Sequence, residues 1–240
     1  MDPIINVCNY IASQCRMVQK EKPFDAASRG FITISRQAGA GGMTIGEKLV
    51  GYLNKEFPGK CPWTLFDKNL VHEVIKEHNL SEKILPFLKE STISEIEDII
   101  DDLFGLHPPQ STLVERTTKT ILHLARMGRV ILVGRGAPVI TREIAGGVHI
   151  RLVGSLKKRK DHLKEHFQFT DKKAKIFLQI EDRGRAQYLK KYFNQDIDNP
   201  LLYDLVVNTD TVSYDHAALL IADMAVRKIK SEEKVFQKMG

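Results

Sequence analysis

The chain has 240 residues, 42% hydrophobic and 28% charged, the balance of a soluble globular protein, and no apolar stretch approaches a membrane-spanning length. Its net charge of +6 concentrates in Lys157–Lys160, Lys172–Arg185 and Lys190–Lys191. Phe167 and Phe169 are too few to argue a nucleic-acid groove, so these blocks read as solvated helix faces that attract nucleotide polyphosphates. Three cysteines, Cys8, Cys15 and Cys61, without a C-x-x-C pair or a secretory leader, lead us to expect reduced thiols and a cytoplasmic location.

Before Phe31, the residues Ile4, Cys8, Ile11, Cys15 and Val18 recur at spacings of four and three. They predict a helical extension over residues 1–29 whose apolar stripe suits the protein body or a partner subunit, as in a homodimer. Phe31-Ile-Thr-Ile-Ser-Arg-Gln-Ala-Gly-Ala-Gly-Gly-Met-Thr-Ile45 then reads as strand, Gly-rich turn and helix start. The helix places Ile45, Leu49, Tyr52 and Leu53 on one face. Glycines let several N–H groups converge, and a helix N-terminus adds partial positive charge, which suits the turn to phosphate. Gly39, Ala40, Gly41, Gly42, Met43 and Thr44 are therefore the candidate phosphate loop, and the Thr44 hydroxyl can cap the helix or reach a Mg²⁺ ion. Measured against G-x-x-x-x-G-K-[ST], the chain carries Arg36 at the first glycine and Gly42 at the lysine.

Pro58-Gly59 marks a turn, and Trp63–Phe66 reads as a second strand ending at Asp67, the expected N-cap of a helix through Leu70, Val71, Val74 and Ile75. Leu80–Phe104 is helical and acidic in its later half, and His107-Pro-Pro109 breaks it. Ser111–Met127 is a helix with Leu113, Thr117, Ile121 and Leu124 on one side. The strand Val130–Val133 ends in Gly134-Arg135-Gly136. A strand over Val148–Val153 leads to a basic helix from Ser155 to about His166, and a charged helix runs from Asp171 toward Tyr192. After Asn199-Pro200, Tyr203–Asp210 is the last strand. Ser213–Lys230 is the terminal helix, with Ala217, Leu220, Ile221, Met224 and Ala225 inward.

This alternation predicts an α/β fold of three layers, a parallel sheet of about five strands flanked by helices. Right-handed crossovers then bring the Gly-rich loop, Asp67, Gly134–Gly136 and Asp210 to one edge of the sheet, where ligands bind. His162 and His166 stand four apart, but no third ligand has a diagnostic spacing, so they read as part of a solvated face.

Four blocks, in this order, carry a resemblance from about Phe31 to Lys230: I-T-I-S-R-Q-A-G-A-G-G-M-T-I-G, F-D-K-N-L, V-I-L-V-G-R-G-A, and D-R-G-R-A-Q-Y through N-P-L-L-Y-D-L-V-V-N-T-D. Together they resemble the cytidylate kinase-like family of P-loop nucleoside monophosphate kinases. The resemblance implies a P-loop kinase-type domain over residues 30–240, with an acceptor-binding helical part at about 68–110 and a helical lid at about 167–195. It implies transfer of the γ-phosphoryl of ATP to a nucleoside monophosphate, CMP or dCMP foremost, with Mg²⁺. By position, Gly39–Thr44 would hold donor phosphates and Thr44 the metal. Arg135 would hold the acceptor phosphate, Arg183 and Arg185 would be lid arginines, and Asp67 would open the acceptor-side loop. Arg36 is the nearest cation to a loop without lysine and joins Arg135, Arg183 and Arg185 as a candidate catalytic residue. Ordinary cytidylate kinases have lysine at Gly42 and G-R-D at Gly134-Arg135-Gly136, and the cytidylate kinase-like branch shares the first departure. Two other readings stay open: a nucleotide-binding regulatory or pseudokinase protein, and a P-loop kinase for another small acceptor.

Overall fold

The computed structural model describes residues 30–59, 61–67 and 110–239. The β-branched runs become five strands, Phe31–Arg36 (β1), Thr64–Phe66 (β2), Val130–Val133 (β3), Gly147–Val153 (β4) and Leu205–Asn208 (β5). All pair in parallel, in the order β2-β3-β1-β4-β5. The described helices are Gly42–Glu56 (α1), Gln110–Met127 (α2), Ala137–Ile140 (α3), Leu156–Phe167 (α4), Asp171–Phe193 (α5) and Tyr214–Met239 (α6). Ser155 and Thr170 cap α4 and α5, their hydroxyls accepting the Lys158 and Lys173 N–H groups.

The two-residue period of the strands sorts side chains into two layers. Ile32, Ile34, Ile131, Val133, Val148, Ile150 and Leu152 meet Ile45, Leu49 and Leu53 of α1 and Ala217, Ile221 and Ala225 of α6. Phe31, Val130 and Leu132 face the other way, onto Ile121 and Ala125 of α2. The result is a parallel sheet between helical layers, with its strand C-termini free to build a site.

That second face changes character between β1 and β4. Parallel register sets Thr33 beside His149 and Ser35 beside Arg151, and all four are buried. Each pair is hydrogen-bonded, as burial requires: Thr33 Oγ1 lies 2.8 Å from His149 Nδ1, and Arg151 Nη1 donates to Ser35 Oγ at 3.0 Å. Arg151 Nη2 also donates to Asp198 at 2.9 Å. A polar stripe therefore runs through the sheet toward the C-terminal end of β1.

Some expectations shift. Leu220 is 54% exposed rather than inward, because the buried arc of α6 is Ala217, Ala218, Ile221, Ala222 and Ala225. Tyr52 sits at the margin of α1, 36% exposed. The last strand shortens to Leu205–Asn208 and pairs on one side only, so Val207 alone is buried in it. The N-terminal extension over residues 1–29, with its homodimer contact, and the helices expected between residues 68 and 109 lie outside the described residues. No described helix is long and apolar enough to cross a membrane.

Burial pushes His149 down from 6.5 to about 4, with Asp204 opposing the shift. As pH falls below 6.5 the unfolded chain takes up a proton that the folded imidazole refuses. Stability therefore drains between about pH 6.5 and 4, by on the order of 3 kcal/mol. His149→Gln removes this titration. Urea unfolding should show the stability advantage of the natural protein over the variant shrinking steadily from pH 7 to pH 4.5. A pH-independent difference contradicts a buried neutral imidazole.

Candidate functional site

The Gly-rich loop starts where β1 leaves the sheet, with the Gln37 N–H still donating to Leu152 O at 3.0 Å. The next residue is gripped by both of its backbone groups. Ala38 N–H donates to Asp182 Oδ1 at 2.7 Å, Ala38 C=O accepts from Arg159 Nη1 at 3.0 Å, and Arg159 Nη1 donates to Asp182 Oδ2 at 2.6 Å. Arg159 is buried and also donates to Gly154 O at 2.9 Å. Thus α4 and α5 together set the loop's entry.

Beyond it the chain must double back into α1. Gly39 (φ 74°) and Gly41 (φ 76°) adopt the left-handed conformation that glycine takes without strain. At Gly41 a Cβ would also strike the Tyr214 ring. Gly41 is the N-cap and offers no side-chain cap. Among the described residues, the N–H groups of Gly39, Gly41, Gly42, Met43 and Thr44 have no protein acceptor. Such a cluster at a helix N-terminus binds anions. The Thr44 hydroxyl, half-buried in the first turn, makes no hydrogen bond to the described residues either.

Next to the loop opens a cleft of about 330 Å³ between the ends of β1 and β3 and the side of α5. Its walls include Ser35, Arg36, Arg135, Glu181, Arg185, Tyr188 and Tyr203. Arg185 is fixed: Nη1 donates to Arg36 O at 3.0 Å and Nη2 to Glu181 at 2.9 Å. Arg36 and Arg135 are different, for neither guanidinium hydrogen-bonds to the described residues. Burial pushes Arg36 down to about 10, and the Arg185 and Arg135 charges add to this while Asp67 and Glu181 oppose it. A drop of that size disfavours the cation by on the order of 3 kcal/mol, yet leaves it charged at neutral pH. A bound anion would relieve this repulsion.

Arg135 is reached through an unusual backbone. Gly134, Arg135 and Gly136 have φ of 94°, 55° and 74°, three left-handed residues in a row, and Gly136 then caps α3. A non-glycine residue in this conformation costs about 1–2 kcal/mol, the kind of strain that gathers at functional sites.

The structure thus brings Arg36, Arg135 and Arg185 to one cleft beside the loop, with the charge of Asp67 acting on Arg36. Arg183 is not with them. It is exposed, because Ile180, Glu181, Gly184, Arg185 and Tyr188 form the cleft-facing stripe of α5. Met43 is 39% exposed at the loop's rim. Asp210 reaches the same sheet edge but spends its carboxylate on the Ser155 N–H, at 2.9 and 3.0 Å. Sequence reasoning missed Glu181, Tyr188 and Tyr203 in the cleft, and the Arg159–Asp182 clamp. Asp182 lay inside the D-R-G-R block. Arg159 lay inside a lysine-rich run taken for a solvated face, and its burial corrects that reading.

No trio of His, Cys, Asp or Glu among the described residues is placed to hold a metal. His162 stacks 4.2 Å from His166 and edge-on to Tyr214, and burial and His166 push it down.

Comparison with known proteins gives the family and the fold. Residues 31–211 match the cytidylate kinase-like family. A crystal structure of an uncharacterized protein from Eubacterium ventriosum superposes with a TM-score of 0.59 at 21% identity, covering 85% of this chain and 99% of that one. It shows the shared fold. A stretch of 118 residues is 25% identical to the uronate isomerase of Corynebacterium glutamicum, covering 49% of this chain. The chain spans only 23% of that curated relative's length.

Arg135→Gly removes both a guanidinium and a strained backbone. Its melting temperature should match or exceed the natural protein's, by up to about 1 kcal/mol in stability, while calorimetric affinity for inorganic pyrophosphate falls. A lower melting temperature would mean that Arg135 is a structural support.

Proposed function

The chain belongs to the cytidylate kinase-like family, and from that premise we propose that it is a nucleotide kinase-like phosphotransferase that moves the γ-phosphoryl of ATP to a nucleoside monophosphate, CMP or dCMP foremost. One observation carries the reading. An unpartnered row of loop N–H groups lies beside a cleft whose Arg36 and Arg135 guanidiniums are unpartnered among the described residues. A protein that only held a nucleotide would need the first set; the second suits another phosphate.

Phosphoryl transfer needs in-line positioning and charge compensation more than covalent help from the protein. An acceptor phosphate oxygen forms the new bond to Pγ as the bond from Pγ to the β-phosphate oxygen breaks, leaving ADP and the acceptor diphosphate. The acceptor is largely ionised at neutral pH, so its attacking oxygen carries no proton for a base to remove. The N–H groups of Gly39 and of Gly41 to Thr44 hold the donor. Arg135 grips the acceptor with its planar fork, and Arg185, pinned to the Arg36 carbonyl, faces the group in flight. The Thr44 hydroxyl would hold a Mg²⁺ ion, which would supply further neutralisation of phosphate charge while keeping waters of its own.

Gly42, standing where a loop lysine is usual, favours a second reading: nucleotide binding without transfer. A coupled assay with Mg²⁺-ATP over CMP, dCMP, other nucleoside monophosphates and small non-nucleotide acceptors separates the two. Turnover of CMP or dCMP at roughly 1–100 s⁻¹ is expected. Tight ATP binding with no transfer to any acceptor supports the regulatory reading and overturns the kinase.

A further inference from the structure

Resting on the phosphate-transfer reading, we infer that Arg36 and Gly42 are an exchanged pair, in which the cation usually carried at the end of a phosphate loop is supplied from its start. The pattern G-x-x-x-x-G-K-[ST] puts a small residue first and the cation seventh; this chain has Arg36 first and Gly42 seventh. The two positions are also in contact. A Cβ built on Gly42 would lie 3.0 Å from Arg36 Cγ and 3.3 Å from its Cδ. The stem of Arg36 therefore fills the volume in which any side chain at residue 42 would begin. The same side chain then ends against Gly134, where a Cβ would collide with its guanidinium. Its path uses two glycines as its floor, one at the loop and one at the acceptor end of β3.

That path decides what the guanidinium touches. It stands between the open N–H groups of α1 and the strained turn bearing Arg135, without a hydrogen bond to the described residues. A planar fork placed there can donate to a donor phosphate with one edge and to an acceptor phosphate with the other. Charge chemistry favours arginine over lysine here. Burial disfavours a cation at this place, and a guanidinium keeps its charge there more securely than an ammonium does. The loop's cation thus comes from Arg36, and Gly42 leaves room for its stem.

Four variants test the exchange, each followed by thermal unfolding and by calorimetric titration of inorganic tripolyphosphate. Arg36→Met keeps the stem and removes the charge, so it should fold normally and bind tripolyphosphate about tenfold or more weakly. Gly42→Lys alone should lower the melting temperature, because two stems compete for one space. Arg36→Gly alone should bind weakly. Combining Arg36→Gly with Gly42→Lys should remove the thermal penalty and restore affinity to within a few-fold of the natural protein. If Gly42→Lys behaves identically with and without Arg36→Gly, or if Arg36→Met binds as the natural protein does, the exchange is wrong and the phosphate loop stands. If the natural protein itself binds no tripolyphosphate at millimolar concentration, it is the phosphate-transfer reading that falls, and the exchange with it.

Discussion

Asp182 of α5 and Arg159 of α4 meet at 2.6 Å with the Ala38 peptide held between them, and the site takes its shape from that contact. Both backbone groups of one residue, its N–H and its C=O, are satisfied by a single ion pair. Ala38 therefore neither competes for the loop's interior nor rotates its N–H inward. The glycines that follow are left to turn into α1 with their own N–H groups open. The clamp acts on α5 as well. By anchoring Asp182 it fixes the stripe that carries Glu181, Arg185 and Tyr188 into the cleft. A pair this well covered adds to stability only because its remaining hydrogen-bonding groups are met, and losing one partner would strand a buried guanidinium.

Charge is distributed around this anchor in a consistent way. Cations with structural work are neutralised or hydrogen-bonded: Arg159 by Asp182, Arg151 by Asp198 and Ser35, Arg185 by Glu181. Arg36 and Arg135 are held near one another and near Arg185 at an energetic cost, with part of that cost carried as backbone strain at Arg135. Both features lower the stability of the fold, and costs of this kind gather at functional sites. The polar stripe through Thr33, His149, Ser35 and Arg151 brings the same logic inside the sheet, trading apolar packing for hydrogen bonds beneath the cleft.

Much of this was legible in the chain, and the failures have physical causes. Short apolar, β-branched runs such as Phe31–Ser35 and Val130–Val133 announced their strands, and glycines at 39, 41, 134 and 136 marked the breaks after them, where the structure has positive φ. The positions of Arg36, the last residue of β1, and Arg135, two residues beyond β3, were legible because strand ends leave the backbone little choice of destination. Arg159 was misjudged, and Arg183 stands outside the cleft, because helix position alone does not say which neighbour waits. Arg159 points at a peptide 121 residues away, and Arg183 sits one step off the stripe that Arg185 occupies. The contact between Arg36 and Gly42 was hidden for a related reason: it depends on a side chain's path, which composition and spacing do not encode.

The central claim is that two phosphate-bearing ligands meet between the loop and the Arg36–Arg135 wall. Calorimetric titration of a bisubstrate, adenosine and cytidine joined through five phosphates, measures that meeting directly. The account predicts binding about 10²–10⁴-fold tighter than ATP or CMP alone, because one molecule would engage both halves at once. A bisubstrate that binds no better than ATP would contradict it, since the donor and acceptor phosphates would then not share the cleft.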